Sequence, residues 1–321
     1  MRLFCTICLF YMLTANANAN RGLSGAQHWR SSTILENIVM IQAYDSVSSK
    51  WNPFGTGVFI DYDTSSASIY LVTNRHIWTS RDSFRLELNH YQMMDSVPSF
   101  MPALAIISKK KVRSWCPENA DSDFAIVELP RATGQFKLNA ITQRNIVHFD
   151  DLEYGEPVEF YGFPAYLDYG LFKPTYHLPV SRSGSVSYFA QEDIYFGEKR
   201  FLIPGMLLID GVSIGGNSGG PVFTRRAFVS TTEDGKLTVA YDKRLIGIIS
   251  KHYPIWHSTD LPLSKFPMTL RILDSLRNLG DTTFARFALP DLSFDYEENS
   301  DLAAVISIDI ILGYLKTCLA K

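Results

Sequence analysis

One serine in this chain stands between glycines on both sides. Residues 215–222 read Gly-Gly-Asn-Ser-Gly-Gly-Pro-Val, and an apolar run opens at Val222 and Phe223. Glycine reaches backbone angles closed to other residues and lets a second chain approach closely. Ser218 can therefore sit on a tight turn with its hydroxyl outward and neighbouring N–H groups converging on one small space. That geometry stabilises an oxyanion beside a nucleophile. A serine hydroxyl is a poor nucleophile without a base, and the upstream sequence offers a base and an acid. Leu71-Val72-Thr73-Asn74-Arg75-His76 ends a β-like run on a histidine, and Asp121-Ser122-Asp123 precedes the apolar Phe124-Ala125-Ile126-Val127. The chemistry would be acyl transfer. Ser218 Oγ attacks a carbonyl, His76 takes the proton and returns it to the leaving group, and an aspartate holds the imidazole in the right tautomer. Histidine suits the task because it exchanges protons near neutral pH. Asp121 and Asp123 both precede the strand, so either could be that aspartate.

The chain order His76, Asp123, Ser218 is that of the chymotrypsin-type triad. Taken with its motifs, the sequence resembles the trypsin-like (chymotrypsin-fold) serine peptidases, and within them the bacterial HtrA/Do-like branch. Thr73-Asn74-Arg75-His76 is similar to that branch's Thr-Asn-x-His, Asp123-Phe-Ala-Ile-Val to its Asp-Ile-Ala-Val strand, and Gly216-Asn217-Ser218-Gly219-Gly220-Pro221 to its nucleophile motif. Gly55-Thr-Gly57, Val158–Pro164, Gly184-Ser-Val-Ser and Leu245-Ile-Gly247 fall in the order such a domain requires. The resemblance covers residues 33–255. It implies that Asp123, directly before the apolar run, is the acid. It implies that the N–H groups of Gly216 and Ser218 form the oxyanion hole. It further implies that Ile249, Ser250, Lys251 and His252 line the substrate pocket, where an extended peptide pairs as an added strand. A wall carrying Lys251 and His252 would favour acidic side chains.

These groups need elements to hold them. From residue 33 the chain is a series of short runs rich in Val, Ile, Tyr and Phe, bounded by Gly, Pro, Asn and Asp, from Ile38–Ala43 to Leu245–Ser250. Many short strands with no helix between them argue for a sandwich or barrel. By itself the pattern supports an all-β chain in two lobes. The resemblance sharpens this to two six-stranded antiparallel β-barrels, chymotrypsin-like, with His76 and Asp123 from the first, Ser218 from the second, and the site in the cleft between.

The ends read differently. Residues 1–19 resemble a secretory signal: Arg2, an apolar stretch from Leu3 to Leu13, and small-x-small cleavage sequences at Ala15-Asn-Ala17 and Ala17-Asn-Ala19. The run is short for a membrane span, and an uncleaved anchor is the alternative. An exported, periplasmic or secreted protein is expected. Two of the four cysteines, Cys116 and Cys318, lie beyond this segment. An oxidising compartment would let them pair; two unrelated thiols is the other reading. Residues 256–321 read as a C-terminal helical extension. Thr269–Leu279 carries leucines at helical spacing with Gly280 as a stop. Leu302–Leu319 is apolar but holds Asp309, which is costly in lipid; a packed terminal helix is expected, with membrane or partner contact as the alternative. Asp291–Asp301 reads as an acidic linker. No PDZ domain is expected.

Composition narrows the function. A hydrophobic content of 46% over 321 residues is ample for a packed core, and a net charge of −3 leaves no basic footprint for nucleic acid. No thiolate cluster supports zinc, and His252 with His257 lacks an acid or thiol partner, so no metal or cofactor is expected. The leading expectation is an exported serine endopeptidase acting on polypeptide. The alternatives are an inactive protease-fold protein that binds peptides or partners, and a small-molecule ester or amide hydrolase on the same triad.

Overall fold

The computed structural model describes residues 32–320, apart from 95–96, 120, 134–135, 165–176, 197–198, 214, 232–236, 261–285 and 288–292. A short helix α1 (Ser32–Leu35) leads into the first lobe, built from β1 (Ile38–Asp45), β2 (Lys50–Asp61), β3 (Ser68–Thr73), β4 (Ser83–Met94), β5 (Val97–Ser108), β6 (Ser114–Trp115) and β7 (Ala125–Pro130). Helix α2 (Arg75–Thr79) follows β3 directly. The strands pair in the order β5-β4-β1-β2-β3-β7-β6 and form an open sheet. After a small hairpin of β8 (Ala132–Thr133) and β9 (Phe136–Lys137), β10 (Ile141–Thr142) pairs in parallel with the end of β2.

The second lobe closes. Its strands are β11 (Pro157–Gly162), β12 (Val180–Phe189), β15 (Met206–Asp210), β16 (Pro221–Thr224), β19 (Leu245–Asp260) and β21 (Ser293–Ser307). They run β15-β12-β11-β16-β19-β21, and β21 pairs back onto β15 to complete a six-stranded barrel. Two hairpins, β13 (Ile194–Phe196) with β14 (Lys199–Leu202) and β17 (Arg226–Thr231) with β18 (Leu237–Asp242), branch from it, and β20 (Arg286–Phe287) pairs with the outer part of β21. Helix α3 (Ile308–Leu319) ends the fold. The architecture is mostly strand, a half-barrel sheet beside a closed six-stranded barrel with a C-terminal helix, consistent with a chymotrypsin-like double barrel whose first lobe stays open among the described residues.

The strands of the first lobe are apolar on both faces, and each face has its own task. Val39, Ile41, Ile69, Leu71, Ala125 and Val127 fill the first lobe's interior with Phe59, Trp78 and Phe84. Their neighbours Ile38, Met40, Tyr70, Val72 and Ile126 point the other way, into a layer shared with Phe223, Ile248, Ile306 and Leu315 of the second lobe and α3. The second barrel alternates likewise: Val158, Phe160, Leu207, Ile209, Val222 and Val305 face inward. Period-two alternation thus produces three cores in a row, and the middle one fixes how the lobes sit. At about 25 cal/mol for each Å² of apolar surface buried, such a layer is what keeps a cleft between lobes in register.

The C-terminal region departs from the sequence expectation. Residues 302–307, read there as helix, are strand. Ala303 and Val305 face the barrel interior while Ala304 and Ile306 face the shared layer. An apolar run too short to show its period reads equally as strand or helix, and here closing the barrel decides. Only residues 308–319 are helical. Residues 293–301, read as an acidic linker, pair with 254–260 of β19 from Pro254↔Asn299 to Asp260↔Ser293. The extension over 256–321 therefore supplies a strand and the terminal helix of the second lobe. The helix expected over 269–279 lies outside the described residues.

Candidate active site

His76 is turned outward by its neighbours. The buried strand β3 ends at Thr73, whose Oγ1 donates to the Thr56 carbonyl over 2.7 Å. Asn74 then begins α2 with extended backbone angles, and its Nδ2 donates to the Asp123 carbonyl over 2.7 Å. Ile77 and Trp78 bury into the first lobe's core. A helical turn that buries those two side chains leaves the residue before them outside, and the His76 side chain is 53% exposed.

Asp123 meets it there. Phe124 is buried and locks the start of β7. Asp123 Oδ2 lies 2.7 Å from His76 Nδ1, and Asp123 Oδ1 accepts the His76 backbone N–H over 2.9 Å. The carboxylate is only 20% exposed. Asp121 goes elsewhere. Its Oδ2 pairs with Arg200 of β14 at 2.9 Å, and Arg200 also reaches Asp193 at 3.0 Å. Arg200 thereby ties the second lobe to the loop carrying both aspartates. Nothing in the sequence marks Arg200 for this; the contact depends on a hairpin whose course only tertiary structure defines.

The Ser218 turn is anchored to both lobes. Thr56 N–H donates to the Ser218 carbonyl over 2.9 Å, and Thr56 Oγ1 donates to the Gly216 carbonyl over 2.7 Å. From the second lobe, the Ile249 carbonyl accepts from Gly219 and its N–H donates to the Gly220 carbonyl, both at 2.8 Å. Gly216 and Gly219 have φ of 94° and 78°, the left-handed region that favours glycine. Gly219 packs onto the end of β3: a Cβ there would collide with the Thr56 carbonyl oxygen and stand 2.6 Å from Thr73 Oγ1. The turn bearing Ser218 thus rests on the residues just ahead of His76. No backbone carbonyl among the described residues accepts from the N–H of Gly216 or Ser218. Backbone donors left without a carbonyl partner are the kind an oxyanion hole uses. Thr56 sits in the Gly55-Thr-Gly57 stretch singled out in the sequence, but its double role at the turn is a tertiary fact.

A family model for the trypsin-like peptidase domain matches residues 55–229, which include His76, Asp123 and Ser218. The chain belongs to the trypsin-like peptidase family. Among curated proteins, none matches it. The strands that complete this trypsin-like domain, β19 and β21, lie beyond the matched segment.

The expected substrate wall divides. Ile249 is buried, and both its backbone groups bond to Gly219 and Gly220 of the Ser218 turn. Ser250 is also buried. Among the described side chains of this stretch, Lys251 is the one not fully buried. It is half-buried, its ammonium lies 5.0 Å from the centre of the Phe201 ring, and no carboxylate among the described residues is within ion-pair distance of it. Burial pushes its pKa down, opposed by the charges of Asp121 and Asp123. The His252 side chain lies outside the described residues. Past Ile248, the last β19 residue paired with β16, the edge of β19 beside the Ser218 turn carries no further β16 pairing.

Proposed function

We propose that this trypsin-like peptidase is an active serine endopeptidase with His76, Asp123 and Ser218 as its triad. The observation that carries the reading is the double hold of Asp123 on His76, through the ring and through the backbone. With Nδ1 bound to the carboxylate, Nε2 is the nitrogen left to accept the Ser218 proton. The deprotonated Oγ adds to the substrate carbonyl. The N–H groups of Gly216 and Ser218 receive the negative charge that develops on the oxygen, a contribution of about 2.7–4 kcal/mol per donor to the barrier. The imidazolium, stabilised by Asp123, then protonates the leaving amine, and water repeats the sequence to release the acyl group.

An extended peptide suits the edge of β19 past its β16 pairing, where it adds as a strand. Lys251 meets its side chains there, and a half-buried cation without an ion-pair partner among the described residues favours an acidic residue in the substrate. Export follows from the reading of residues 1–19, and N-terminal sequencing of the secreted protein should start just after Ala17 or Ala19. A fluorophosphonate probe tests the central claim. Wild type should be labelled and Ser218→Ala should not; equal labelling of the two removes the enzyme reading. Casein digestion by wild type alone then separates a peptidase from a small-molecule hydrolase.

A further inference from the structure

Cys116 and Cys318 come from far apart in the chain and meet at one tyrosine. Cys116 follows β6 and opens the loop that leads to Asp123. Cys318 lies on the last turn of α3. Tyr314, one helical turn before Cys318 and so on the same face, donates its hydroxyl to the Cys116 carbonyl over 2.8 Å. The phenol sits beside both cysteines; with burial as the largest cause, followed by Cys318 and then Cys116, its pKa is pushed up to about 12. The Tyr314 ring stands edge-on to Phe124, the residue after Asp123, with centroids 5.4 Å apart. Both cysteines are free and half-buried, and burial raises the Cys116 thiol. They are the only cysteines among the described residues.

We infer that Cys116 and Cys318 form a modification site, a dithiol that closes to an intramolecular disulfide and tethers the Asp123 loop to α3. The oxidant is a small disulfide such as oxidised glutathione. A Cys318 thiolate at the helix end attacks one glutathione sulfur and expels a glutathione thiolate. The Cys116 thiolate then attacks the mixed disulfide at the Cys318 sulfur and expels nothing but the second glutathione. One disulfide is reduced to two glutathione thiols, which take up the two cysteine protons, and the two protein thiols are oxidised to one S–S bond. The bond closes a loop running from residue 116 to residue 318, and the longer the loop a cross-link closes, the more it restricts the unfolded chain. It also joins the first lobe's acid-bearing loop to the helix that packs on the second barrel.

The full-length protein, incubated with oxidised glutathione, alkylated and digested, supplies the test. The expected product is a linked pair of peptides containing Cys116 and Cys318, lighter by two hydrogens, in monomeric protein. A rise in Tm of at least about 4 °C should accompany it and reverse with dithiothreitol. Cys318→Ser should show no such rise. The inference is overturned if both thiols remain fully alkylatable, if each ends as a glutathione adduct, or if links run only to Cys5, to Cys8 or between chains. Should the serine variant fail to fold, the wild-type peptide map decides alone.

Discussion

Asp123 grips His76 at two points, Nδ1 at 2.7 Å and the backbone N–H at 2.9 Å. The ring contact fixes which nitrogen carries the proton. The backbone contact fixes where α2 begins relative to β7. A neutral amide in place of the carboxylate keeps the shape but loses the charge that stabilises an imidazolium, and it can present an N–H where an acceptor is needed.

Asp123→Asn should therefore lower kcat/KM for a peptide substrate by about 10⁴-fold, while far-ultraviolet circular dichroism stays as in wild type. Asp121→Asn is the matched control. It breaks the bridge to Arg200 but leaves the His76 contacts alone, so its loss should stay within about tenfold. Equal losses in the two variants would deny Asp123 its distinct place.

The turn under Ser218 gives a second prediction. Gly155 and Gly219 have nearly the same positive φ, 76° and 78°, but different surroundings. A Cβ at Gly155 meets nothing within 4 Å, whereas at Gly219 it strikes backbone and Thr73. Gly155→Ala should cost about 1–2 kcal/mol, the strain of the left-handed region alone. Gly219→Ala should cost more, at least about 3 kcal/mol, and abolish probe labelling, because the turn must leave β3 to fit the methyl group. Urea denaturation of both variants measures the difference.

Motif spacing made the centre of this site readable and left its supports hidden. Ser218, His76 and Asp123 sit beside local markers, a glycine cluster and two strand ends, and such markers survive in one dimension. The choice of Asp123 over Asp121 needed the resemblance; in the fold Asp123 contacts His76 while Asp121 is engaged by Arg200. The strands of both lobes were legible from short runs of β-branched and aromatic residues set between turn residues. Residues 302–307 were not, because Leu-Ala-Ala-Val-Ile-Ser runs without a break into the helical Ile308–Leu319, and nothing local marks the change of period. Thr56, Arg200 and Phe201 act only through partners far away in the chain. The backbone of Ile249 is likewise engaged by Gly219 and Gly220, a pairing no pattern in its own segment announces.

Lys251 sets the third prediction. Its ammonium stands over Phe201 without an ion-pair partner among the described residues, so a substrate carboxylate gains a charge-assisted bond in a half-desolvated setting. In a peptide library, wild type should cleave sequences with Asp or Glu near the scissile bond about tenfold faster than matched amide peptides, or about 1.4 kcal/mol in the barrier. Lys251→Gln should erase the preference and Lys251→Glu should reverse it toward Lys or Arg. A wild-type profile with no enrichment of acidic residues would assign Lys251 a structural part only.

A second histidine–aspartate pair, away from the site, makes stability depend on pH. His148 Nδ1 lies 2.6 Å from Asp309 Oδ1, and Asp309 Oδ2 accepts the Phe149 N–H over 2.6 Å. The contact ties the connection between the lobes to the first turn of α3, where a carboxylate also suits the helix dipole. The hydrogen bond to Asp309, followed by its charge, raises the His148 pKa above the ordinary 6.5. The folded state thus holds this proton more tightly than the unfolded chain. The resulting stabilisation is complete below about pH 6.5 and is lost as pH rises through the raised folded value. Compared with His148→Gln, wild type should be more stable at pH 6 than the variant by a margin that shrinks by pH 9. Both groups are partly exposed, so added salt should narrow the margin at pH 6 as well. Urea melts of the two proteins at both pH values measure it, and a margin that is constant or grows with pH would mean that the pair does not bind its proton in the folded state as the geometry requires.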